Sequence, residues 1–74
     1  WAEAEERLEE ALAQARAVGA PYREAKLLFT AGQVAARQGE RARSAAHLRA
    51  AQTILTELGE RLYAEQIDRL LPQI

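Results

Sequence analysis

Apolar residues recur along the chain at spacings of three and four, and glycine divides the pattern into four runs. In the first run Ala4, Leu8, Ala11, Leu12, Ala15 and Val18 form one stripe, led by Trp1. Ala45, Leu48, Ala51, Leu55 and Leu58 do the same in the third, and Tyr63, Ile67, Leu70, Leu71 and Ile74 in the fourth. This is the period of an amphipathic α-helix. The spacing predicts helices over residues 2–18, 21–38, 40–58 and 60–71. Gly19, Gly39 and Gly59 stand where a helix end accepts a left-handed residue. Pro21 suits a first helical turn, and Pro72 stops the last helix.

The second run is apolar over a wider arc. Ala25, Leu28, Gly32 and Ala35 make one stripe, and Leu27, Ala31 and Val34 make another beside it. A helix of this kind is expected to have neighbours on more than one side. Gly32 costs ~1 kcal/mol against alanine within a helix, so its expected use is the close approach of another helix. The connections are short, which makes consecutive helices antiparallel neighbours. The expected fold is all-α, a run of helical hairpins forming a single domain over residues 1–74.

The chain also repeats itself. A shift of 40 residues carries Gly19 onto Gly59, Ala2 onto Ala42, Ala4 onto Ser44, Leu8 onto Leu48, Ala11 onto Ala51 and Val18 onto Leu58. Further on, Leu27 falls on Ile67. Small residues meet small ones and large apolar residues meet large ones, without a gap, which is the mark of a repeat architecture.

The stretch from Leu27 to Leu55, LLFTAGQVAARQGERARSAAHLRAAQTIL, resembles a tetratricopeptide repeat. The pattern falls on Leu28, Ala31, Gly32, Ala35, Gly39, Ser44, Leu48 and Ala51, with the family's aromatic places taken by Leu28, Ala35 and Leu48. The repeat is longer than the family's usual ~34 residues and lacks its closing proline. In length and turn pattern it is similar to the helical-repeat regions of LuxR/MalT-type bacterial transcription regulators. The resemblance implies a fragment of a right-handed solenoid: the second helix of one repeat (2–18), one whole repeat (21–58) and a closing helix (60–71). It also implies protein or peptide binding inside a larger bacterial, cytoplasmic signalling or regulatory protein. Such arrays bind partners on the concave surface made by the first helix of each repeat. In that frame Lys26, Phe29, Gln33 and Arg37 share the inner face of the second helix, and Gln66, Arg69 and Gln73 continue it 40 residues on. A lysine, two arginines and three amides around one aromatic suit an acidic or amide-rich peptide, with Phe29 as the anchor. About two repeats are fewer than such stacks need to stand alone. Trp1, Leu8, Leu12 and Ala15 are therefore expected to form an exposed edge that self-associates. The alternative reading is a self-associating structural bundle, or an engineered repeat, with no ligand.

Composition narrows the chemistry. The chain has 74 residues, no cysteine, and one histidine, His47. Thiol catalysis, disulfides and multi-histidine metal sites are excluded. Alanine supplies 17 residues and arginine outnumbers lysine nine to one, a composition suited to closely packed helices. The net charge of −1 gives no overall field to gather nucleic acid, and no apolar run has the ~20 residues of a membrane span. The balance hides an asymmetry. Glu3, Glu5, Glu6, Glu9 and Glu10 crowd the first helix, while Arg37, Arg41, Arg43, His47 and Arg49 crowd the start of the third. Adjacent glutamates on one helix lack the converging oxygens of a calcium site. The two clusters are expected to face each other and set register. His47 is expected on the outer side as a solvated residue. Neither a catalytic triad nor a phosphate loop is present, so no enzymatic activity and no cofactor are expected.

Overall fold

A computed structural model describes residues 2–73, and Trp1 and Ile74 lie outside the described residues. The chain folds as four α-helices: α1 (Ala2–Ala17), α2 (Pro21–Arg37), α3 (Arg41–Leu58) and α4 (Leu62–Leu70). A 3-10 turn, Leu71–Gln73, follows α4. Among the described residues there is no strand.

Three turns of three residues join the helices, and they share one construction at intervals of twenty residues. The amide of Ala20 donates to the carbonyl of Ala15 at 2.9 Å, that of Glu40 to Ala35 at 2.9 Å, and that of Glu60 to Leu55 at 2.9 Å. Inside each, the glycine amide closes a smaller ring, donating to the carbonyl three residues back, of Arg16, Ala36 and Thr56 respectively. This double closure satisfies carbonyls that a helix end otherwise leaves bare, and it needs a left-handed residue. Gly59 supplies it with φ 74°. The last helix begins two residues later than the periodicity suggests, because the Glu60 carboxylate folds over to accept the amides of Leu62 (2.7 Å) and Tyr63 (3.1 Å). Pro72 has no amide to donate, so regular α-helical bonding ends at Leu70.

The helices pack within an envelope of 29 × 27 × 15 Å. The α2–α3 pairing is the most extensive, with α1 against α2 and α4 against α3. Leu12 of α1, Ala25, Leu28 and Phe29 of α2, Leu48, Ala51 and Leu55 of α3, and Ile67 of α4 form one core. Leu48, Leu55 and Ile67 are almost completely enclosed.

At the α2–α3 crossing, Gly32 has the role its position suggests. A Cβ there would lie 2.8 Å from both Cγ and Cδ2 of Leu48. Beside it, the wholly buried Ser44 donates its hydroxyl proton to the carbonyl of Gly32 at 2.7 Å. Small residues on both helices thus let the backbones approach, and one side-chain hydrogen bond pins their register.

One expectation is corrected here. Leu12 and Ala15, placed on an exposed self-association edge, are buried within the chain's own fold at 6% and 1% exposure. The wide apolar arc of α2 covers them, so no upstream neighbour is required at these two positions. Leu8 is half-buried, and Trp1 lies outside the described residues.

Candidate functional site

The candidate residues lie on α2, on α4 and in the terminal turn. Lys26, Gln33 and Arg37 of α2 are exposed, as are Arg69 of α4 and Gln73 of the terminal turn; Gln66 is half-buried. Phe29 is the exception. It is only 9% exposed and belongs to the core. Three residues of helix turn about 300°, which sets Phe29 about 60° from Lys26, towards Ala25 and Gly32. The chain packs α4 over that side, and the Tyr63 ring meets Phe29 edge to face with centroids 5.6 Å apart. The anchor expected from Phe29 is therefore absent from the surface.

A different aromatic takes its place. Tyr22 is 45% exposed and stands four residues before Lys26, on the same helical face. Its ring meets Tyr63 at 6.4 Å, also edge to face. The Lys26 ammonium lies 5.6 Å from the Tyr22 ring centroid, within reach of a cation–π interaction. Tyr22, Arg23, Lys26, Leu27 and Thr30 line a shallow depression of about 490 Å³. Tyr22 was legible as a candidate from its i−4 spacing to Lys26. The contact with Tyr63 was not, since it depends on where α4 lands.

The charged clusters lie on α1 and α3. Arg43 of α3 reaches Glu5 of α1 at 3.1 Å, so the acidic and basic helices do meet as their charges suggest. Arg16 pairs with Glu24 across the α1–α2 turn at 2.9 Å. Both arginines are exposed, and such pairs are worth roughly 0–1 kcal/mol each. His47 is half-buried rather than fully solvated. Loss of solvation, then the Arg43 and Arg16 guanidiniums, lower its pKa from the ordinary 6.5, against a smaller opposing effect of Glu9. Among the described residues no group of three or more histidine, aspartate or glutamate side chains is placed to hold a metal ion. Among the described residues no helix is long and apolar enough to cross a membrane.

No family model matches the chain, and neither a curated protein nor a solved structure matches it. The functional reading therefore rests on these surfaces.

Proposed function

We propose that the chain is a tetratricopeptide-like helical-repeat module that binds a protein or peptide segment through the α2–α4 face. The observation that carries this reading is the use of α2. Its stripe of Ala25, Leu28, Gly32 and Ala35 is buried against neighbouring helices, while the remaining face presents Lys26, Gln33 and Arg37 beside the exposed Tyr22. Cations and an amide flanking an aromatic provide charge steering together with a flat apolar contact. Arg69 and Gln73 extend the surface along α4 and its terminal turn. The identical helix ends at residues 20, 40 and 60 support the repeat reading. They give every helix pair the same exit, so one packing mode can be reused along a stack. In the proposed setting the module belongs to a bacterial cytoplasmic regulatory protein, and its partner segment is acidic or amide-rich.

Fluorescence anisotropy with labelled acidic, neutral and basic peptides tests the reading. The acidic peptides should bind best, and K26A/Q33A/R37A should weaken them about tenfold or more while leaving the melting temperature unchanged. Equal binding of all three peptide classes, or an unaffected triple variant, refutes it. The alternative of a self-associating bundle predicts a dimer by sedimentation, with no peptide bound.

A further inference from the structure

The groove of about 360 Å³ between α1 and α3, above Val34, sets Glu5 and Glu9 against Arg43. Its charges offset one another and select no ligand. The depression on α2 differs, because its charges have one sign. Arg23 and Lys26 line it together with Tyr22, Leu27 and Thr30, and no carboxylate does. Among the described residues neither cation is paired with an acid. Glu24, the one acid of α2, is held by Arg16 at 2.9 Å. The same face continues down the helix. Tyr22, Lys26, Thr30, Gln33 and Arg37 follow one another at helical spacings, and all are exposed.

Within this basic face Tyr22 is a contact already in place. Its ring meets Tyr63 edge to face at 6.4 Å, and the Lys26 ammonium stands 5.6 Å from its centroid. It nevertheless leaves 45% of its surface in solvent. A ring held by two neighbours loses little freedom when a partner covers it, which makes it an effective anchor. Half-buried Leu27, packed on the core from within, adds an aliphatic wall.

We infer that the partner is an extended peptide segment with an apolar side chain seated in the Tyr22–Leu27 depression, an acidic residue beside it that pairs with Arg23, and a second acid about five residues away that reaches Arg37. The inference rests on the peptide-binding reading above and adds to it a seat and a spacing. Arg37 stands eleven residues beyond Lys26, about 16 Å along α2 at 1.5 Å per residue. An extended chain covers that distance in about five residues. A purely acidic segment would leave Tyr22 and Leu27 wet. A purely apolar one would cover two cations without giving them a partner.

Fluorescence anisotropy of the full chain with three labelled heptapeptides tests the inference. The first has phenylalanine at its second position between two glutamates, a further glutamate at its seventh, and serine elsewhere. The second has serine in place of the phenylalanine, and the third has glutamine in place of the glutamates. The first should bind about tenfold more tightly than the second, from burial of its ring, and about tenfold more tightly than the third. Thr30→Trp fills the depression from an exposed position and should erase the preference for phenylalanine. Arg23→Glu, also exposed, should weaken the first peptide about tenfold and leave the third unchanged. Circular dichroism should show both variants folded as the parent is. Moving the distal glutamate to the fourth position should cost about threefold in the parent and nothing in R37A. Equal binding of the first two peptides, a phenylalanine preference that survives T30W, an affinity for the first peptide unchanged by R23E, or an equal loss in R37A would overturn the inference. Acidic peptides that bind through Lys26, Gln33 and Arg37 with no regard to the phenylalanine would overturn it while the broader reading stands. Failure of every acidic peptide to bind would remove both.

Discussion

Replacing Gly32 with alanine sets two effects against each other. Alanine favours the helix by ~1 kcal/mol over glycine. The new methyl would meet Leu48 Cγ and Cδ2 at 2.8 Å and the Ser44 carbonyl oxygen at 3.3 Å. Cγ is the branch point of the leucine, so relief requires moving the whole side chain. Leu48 is only 1% exposed and has no open space to move into. Overpacking of this kind costs ~1–3 kcal/mol, and the enclosed neighbour argues for the upper part of that range. The net result is a destabilisation of about 1–2 kcal/mol. For a domain of this size each kcal/mol corresponds to roughly 4–8 °C, so G32A should melt ~4–16 °C lower by circular dichroism. Leu48→Ala, which removes both clashing atoms, should cost less in the G32A chain than in the parent, as measured by urea unfolding. A melting temperature equal to or above the parent's would refute the close-approach role and reduce Gly32 to an ordinary helix-weakening glycine.

Two further outcomes follow from the core and from His47. Phe29→Ala should cost ~3–5 kcal/mol in thermal or urea unfolding, because it removes a buried ring packed on Tyr63; unchanged stability with weakened peptide binding would restore Phe29 to the surface. The pH dependence has a defined sign. The folded chain holds His47 below its ordinary pKa of 6.5, so the unfolded chain binds this proton more readily. The stability tied to the neutral imidazole is complete above pH 6.5 and is lost as pH falls through the lower, folded value. His47→Gln should flatten that part of the stability–pH curve, and an identical slope in parent and variant would contradict the assignment. Arg43, Arg16 and Glu9 are the charged groups that act on His47.

Local features of the chain determined its helices. The three glycines mark turns that all close in the same way, because a left-handed helix end depends on the residue at the turn and little else. The width of the α2 apolar arc and the presence of Gly32 already pointed to close neighbours on more than one side. The acidic and basic clusters pointed to a meeting of α1 and α3, and the Glu5–Arg43 pair supplies it. Which surfaces remain open was decided by packing. Phe29 and Lys26 share a face by periodicity, yet α4 covers one and leaves the other in solvent. Leu12 and Ala15 are enclosed because α2 reaches over them. The groove above Val34 exists because α1 and α3 both rest on α2 without filling the space between them. Helical period reports the direction of each side chain about its own axis. The distance and tilt of the next helix are non-local, and they decide whether that direction ends in core, in solvent or in a pocket.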